Sequence, residues 1–126
     1  MKKVLNVIVL CLISFKTLAS PNLLNEYNKE IDPFYKQLKY ISTVMNGLAE
    51  KELRGESITE KEQKKVFFLN CSSLGYMNKI KFISDKPKYK NLEKAKRLKN
   101  MIFKTKEVME VTDKECTQAG IYVPLK

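Results

Sequence analysis

Cys71 and Cys116 constrain this chain more than any other pair of residues. Both sit in stretches with the apolar period of a helix, and a bridge between them must bring their Cα atoms within about 7 Å. Suppose residues 60–84 and 92–118 formed two straight antiparallel helices joined by a tight turn. Position 71 would then lie opposite roughly position 104, and twelve residues of helix span ~18 Å. A bridge and a straight hairpin therefore exclude each other. Thr112-Asp113-Lys114-Glu115 offers the way out, because Thr112 and Glu115 have the spacing of a capping box, in which each side chain bonds the other's free backbone N–H. The expected solution is a break near 110–113 and a short last helix of about two turns, folded back so that Cys116 meets Cys71. Gly120 ends that helix. Ile121-Tyr122-Val123-Pro124 then reads as an extended apolar tail laid on the body.

Pairing needs an oxidising compartment, and the first residues supply one. Lys2 and Lys3 form a charged start, Val4–Phe15 is an apolar run interrupted by Asn6 and Ser14, and Thr17-Leu18-Ala19 places small residues before a cleavage point after Ala19. Residues 1–19 have the pattern of a secretory signal peptide, which leaves 20–126 as a single helical domain. The run is shorter than the ~20 residues of a spanning helix, and Lys16 closes it. Leu10 before Cys11 is too large for a lipid-attachment signal. The expected location is outside the cytoplasm, in the periplasm rather than the medium. With Cys11 removed, two cysteines remain, and such a pair bridges in an oxidising compartment. A closed loop of about 45 residues contributes roughly 4 kcal/mol at the upper end.

Helical periodicity fills the rest. Leu24, Tyr27, Ile31, Phe34, Leu38, Ile41, Met45 and Leu48 alternate three and four apart, which predicts a first helix that Gly55 stops. Pro33 falls inside it and should kink it or divide it into two nearly collinear pieces. Thr59 and Glu62 make a second capping-box pair and open a central helix over Thr59–Asp85. That helix has two apolar lines on roughly opposite sides: Phe67, Cys71 and Leu74 with Asn70 and Met77, and Leu69, Tyr76, Ile80 and Ile83. A helix apolar on two sides is packed on two sides, so it should be the middle of the stack. Lys86-Pro87 breaks it, Asn91 suits an N-cap, and Ala95, Leu98, Met101, Ile102, Val108 and Met109 form the core stripe of a third helix. The expected fold is all-α: three main helices and a short C-terminal helix, stapled by Cys71–Cys116.

Charge is uneven. Residues 86–106 carry nine basic side chains and one acidic, while 20–57 carry five and six. A line of Leu92, Lys96, Lys99, Phe103 and Lys106 runs along the edge of the third helix's core stripe, setting an aromatic ring among lysines. Lys96, Lys99, Phe103 and Lys106 are the candidate partner surface, and a protein with an acidic surface is the expected partner. The wider basic stretch Lys79–Lys106, with Tyr89 and Phe103 interleaved, also suits a polyanion or an anionic lipid surface; nucleic acid is a poor match for the periplasm.

Chemistry is sparse. The chain has no histidine, the commonest general base and metal ligand. Two cysteines alone do not make a zinc site, and C-x-x-C, G-x-S-x-G, H-E-x-x-H and phosphate-loop motifs are missing. Glu50/Glu52 and Glu60/Glu62 are spaced two apart, which turns them to different sides of a helix. No catalytic, cofactor or metal residues are expected. The best reading is a non-enzymatic exported binding protein, such as an inhibitor or immunity-type protein. A membrane-surface or polyanion binder and an envelope stress chaperone are the alternatives, and the chaperone lacks a histidine switch near neutral pH.

Overall fold

The computed structural model describes residues 21–121. They form four helices, α1 (Pro21–Leu53), α2 (Glu60–Ser84), α3 (Glu93–Val108) and α4 (Asp113–Gln118), with no strand among the described residues. The signal-peptide reading and most of the apolar tail fall outside these residues; Ile121 alone of the tail is described, partly buried against the core.

α1 is unbroken across Pro33. The missing proline N–H leaves the Lys29 carbonyl without its usual partner four residues on. Both residues are exposed, so that carbonyl meets solvent and the helix continues. The start of α2 is set by the expected capping box: Glu62 N donates to Thr59 Oγ1 and Thr59 N to Glu62 Oε1, each at 3.1 Å. Lys51 of α1 donates to the same Glu62 oxygen at 2.7 Å. That contact first, and the Thr59 bonds after it, pull the Glu62 carboxyl down to about 2.

Two glycines close helices. Gly55 (φ 81°) and Gly120 (φ 70°) are left-handed, a conformation that costs glycine little and side-chain residues more. At each, the glycine N–H bonds the carbonyl three back and the next N–H the carbonyl five back, which satisfies carbonyls the helix leaves free.

α2 is the middle of the stack. Its Leu69 joins Ile41 and Met45 of α1 in one apolar cluster, and Tyr76 lies 6.3 Å from Phe34. On the opposite side Cys71 is bridged to Cys116 with Cα atoms 5.5 Å apart. The main cluster runs from Tyr27, Ile31 and Leu38 through Cys71, Leu74, Met77 and Ile80 to Leu98 and Ile102. Met109 and Thr112 are extended, and Thr112 caps α4 through Glu115 as expected. Val108, placed in the core stripe by its spacing, is 37% exposed at the end of α3.

One connection differs from expectation. α3 starts at Glu93 with Leu92 at the N-cap and no side-chain cap, so Asn91 does not cap it. Residues 86–92 instead wind through turns closed by Tyr89 N to Lys86 O (2.8 Å) and Leu92 N to Tyr89 O (2.9 Å). This longer connection shifts the register of α3 on α2: Lys99 meets Asp85 and Lys106 meets Asn78. Cys116 therefore has a shorter distance to return than a tight turn implies. The turn also buries Tyr89 completely. Its ring lies 5.1 Å from that of Tyr27, and its hydroxyl donates to Glu30 at 2.5 Å.

Candidate partner-binding face

The inner side of α3 is Ala95, Leu98, Ile102 and Thr105, all buried. Lys99 and Lys106 stand beside this stripe and reach across to α2. Lys99 Nζ donates to Asp85 Oδ1 at 3.0 Å, while Lys106 Nζ donates to Asn78 Oδ1 and lies 3.4 Å from Asp113 Oδ2. The Asp85 carboxyl is held below its ordinary value, first by the hydrogen bond from Lys81 and next by that from Lys99.

These two contacts fix which residues of α2 and α3 stand level. Phe82 falls between Asn78 and Asp85, and Phe103 between Lys99 and Lys106, so the two phenylalanines face the same height of the bundle. At ~100° per residue both lie on the solvent side of the line of contact, away from the buried stripes. Their exposures agree: 63% for Phe103 and 53% for Phe82. Two aromatic rings thus flank the α2–α3 seam in water, with Lys99 and Lys106 tied across it.

Of the residues nominated from the sequence, Lys96 and Phe103 are open to solvent, whereas Lys99 and Lys106 are each 28% exposed and spend their charge on neighbouring helices. The basic stretch as a whole is less free than its composition implies. Lys86 and Lys88 pair with Glu30 and Glu26 of α1, Lys94 bonds Asn28, and Arg97 pairs with Glu93. Lys90, Lys96 and Lys104 have no carboxylate within pairing distance among the described residues. Tyr89, read as an aromatic that stacks on or inserts into a ligand, is part of the core.

Phe82 was not singled out by its sequence, nor was Phe68, which is 52% exposed on the same outward side of α2. A signal was present: both phenylalanines fall off the two apolar lines of an otherwise core-facing helix, fourteen residues apart, a near-whole number of turns. Between them lie Ser72, Gly75 and Lys79; Lys79 Nζ sits 5.1 Å from the centre of the Phe34 ring. Comparison of the chain with protein-family models, curated proteins and solved structures gives no match.

Proposed function

We propose that this is an exported helical protein that works by binding another protein, as inhibitors and immunity proteins do. Its docking face is the α2–α3 seam, with Phe82 and Phe103 as anchors and Lys96, Lys99 and Lys106 as the basic surround. The observation that carries this reading is the pair of exposed rings at one level of the bundle. Large aromatic side chains left in water gain apolar burial when covered, and aromatic residues are enriched among the groups that dominate interface energies. The lysines favour an acidic partner and speed its approach. Export is supported by the leader-like first residues and by the disulfide.

The test uses residues that hold nothing else in place. Lys99 and Lys106 brace α2 and α4, so reversing them would disturb the bundle. Lys96→Glu with Phe103→Ala leaves the helix contacts intact. Affinity capture from the producing cell's envelope and culture fluid should yield a partner with the native chain and lose it with the double variant, at unchanged thermal unfolding. Capture unaffected by the variant discards this face. Salt separates the polyanion alternative: phosphate-driven binding weakens linearly in log affinity against log salt, whereas an aromatic-centred protein interface weakens far less.

A further inference from the structure

A second exposed face lies across α2 from the seam, along its junction with α1. α1 carries a line of Pro33, Gln37, Tyr40, Val44 and Gly47, four and three apart and without a charge. α2 carries a line of Lys61, Lys65, Phe68, Ser72, Gly75 and Lys79, again four and three apart and without an acid. Each line is one continuous side of its helix.

The contacts between α1 and α2 bring the two lines together. Phe34 and Tyr76 have ring centres 6.3 Å apart, and Lys51 Nζ reaches Glu62 at 2.7 Å. This antiparallel register sets Tyr40 level with Ser72, about one turn from the level of Phe68. Val44, one turn after Tyr40, packs on the cluster of Ile41, Met45 and Leu69, and Lys79 Nζ lies over the Phe34 ring. Both lines therefore border the α1–α2 junction on its outer side. Tyr40 is 63% exposed, and Phe68 is also more than half in water. Phe82 is fourteen residues on, about 21 Å along the helix and about 40° around it, so it turns toward α3 while Phe68 turns toward α1.

Charge identifies what covers this face. Lys61, Lys65 and Lys79 have no carboxylate within pairing distance among the described residues. The carboxylates at its margins are already paired: Glu62 with Lys51, Glu60 with Lys64 and Asp32 with Lys36. Two long helices side by side make a broad, shallow surface, and aromatic rings with lysines around them suit the headgroup layer of a bilayer, where the rings are buried and the lysine stems reach back to phosphate. No helix among the described residues is long and apolar enough to cross a membrane, so the contact is with the surface. We infer that the α1–α2 face rests on an anionic lipid bilayer, with Tyr40 and Phe68 among the headgroups and Lys61, Lys65 and Lys79 against lipid phosphates. The inference does not depend on a protein partner at the α2–α3 seam, because the two faces use different rings and different lysines.

The test uses the oxidised chain from Ser20 onward, so that the apolar run Val4–Phe15 adds no membrane affinity of its own. The chain has no tryptophan, so Phe68→Trp and Phe103→Trp each give a single reporter, one on each face. With phosphatidylglycerol vesicles at low salt, Phe68→Trp emission should shift to the blue, and with phosphatidylcholine vesicles it should not. Phe103→Trp emission should stay that of a ring in water with both. In vesicle co-sedimentation Lys61→Gln with Lys65→Gln should weaken binding roughly twentyfold, about fivefold for each lysine near an anionic surface. Tyr40→Ser with Phe68→Ser should weaken it about tenfold or more, as two rings leave the headgroup layer. Both double variants replace exposed side chains, so their melting temperatures should match the parent's. Added salt should release the protein. Absence of co-sedimentation with phosphatidylglycerol vesicles at low salt overturns the inference. So does equal binding to phosphatidylcholine, binding indifferent to Tyr40→Ser with Phe68→Ser, or a blue shift at Phe103→Trp in place of Phe68→Trp.

Discussion

At the end of the bundle where α1 begins and α2 finishes, the buried polar groups form a closed set. Ser84 Oγ donates its one proton to the Ile80 carbonyl at 2.7 Å, so the Tyr27 hydroxyl, 2.6 Å away, is the donor to Ser84. Burial dominates at Tyr27 and pushes its hydroxyl up to about 12 despite that bond. Tyr89 donates to one oxygen of Glu30 while Lys86 Nζ donates to the other at 2.6 Å, and Lys88 Nζ lies 4.8 Å from the centre of the Tyr89 ring. Farther along the α1–α2 interface the pattern reverses. Ser42 Oγ, Asn46 Oδ1 and Ser73 Oγ are buried without a partner among the described residues. Satisfied polar networks fix one packing arrangement. Unsatisfied ones cost stability without fixing it.

The disulfide is what holds that far end, and removing it is the largest expected effect. Cys71→Ser with Cys116→Ser should cost about 2–4 kcal/mol in urea unfolding, given the length of the closed loop. Amide exchange at 113–118 should accelerate far more than at Tyr89–Leu92, where the tyrosine network survives. Equal acceleration at both ends would mean that the two are not independently secured. Two free thiols in the native protein, read as two extra hydrogens by mass spectrometry, would remove the staple altogether.

Single-atom deletions test the contrast at its source. Tyr89→Phe removes the donor to the Glu30 carboxylate and should cost about 1.5–3 kcal/mol, the range for hydrogen bonds to charged groups. Ser73→Ala, near the middle of α2, removes a hydroxyl that bonds nothing among the described residues, so it should be neutral or stabilising, within about 1 kcal/mol. A cost for Ser73→Ala as large as that for Tyr89→Phe would show that the hydroxyl is satisfied in solution, and the two regions would then be alike.

Much of the closed end was hidden from sequence reading, and the reason is physical. Local signals worked where the responsible groups are close in sequence: both capping boxes, the Gly55 and Gly120 stops, and the two-sided packing of α2 all follow from spacings of a few residues. The disulfide was legible because, with Cys11 set aside in the leader-like run, Cys71 and Cys116 leave one pairing. Tyr89 was not. It sits in a lysine-rich turn with no apolar period, and its partners Tyr27 and Glu30 lie about sixty residues away. Charge failed for the same reason: nine basic residues between 86 and 106 look like one open patch until Glu26, Glu30 and Asp85 arrive from other helices. The candidate face was half legible, in Phe103 and Lys96. Phe82 needed the α2–α3 register, which depends on how long the intervening turn turns out to be.

The smallest expected effect concerns acid. Both ends contain carboxyls held below their ordinary values, Glu30 by Lys86 first and Tyr89 next, and Glu62 by Lys51 first and Thr59 next. A carboxyl whose folded value lies below its unfolded one stabilises the fold fully above the unfolded value, and that contribution is lost as pH falls through the folded one. For Glu62 the window runs from its ordinary 4.5 down to about 2. Glu62→Gln keeps the capping box but removes the carboxylate that pairs with Lys51, so its stability curve should lie slightly below the parent's above that window and converge with it as pH falls through the window. The pair is partly exposed, 27% at Lys51 and 23% at Glu62, so screening keeps the gain small and added salt should shrink it further. Glu30→Gln should flatten the limb too, with a larger loss at neutral pH, because Tyr89 and Lys86 both point at that carboxylate and a neutral amide holds them less well. If the two variants give superimposable curves at neutral pH, the Glu30 network is no tighter than a surface pair, and the distinction between a closed and an open end fails where it is most finely drawn.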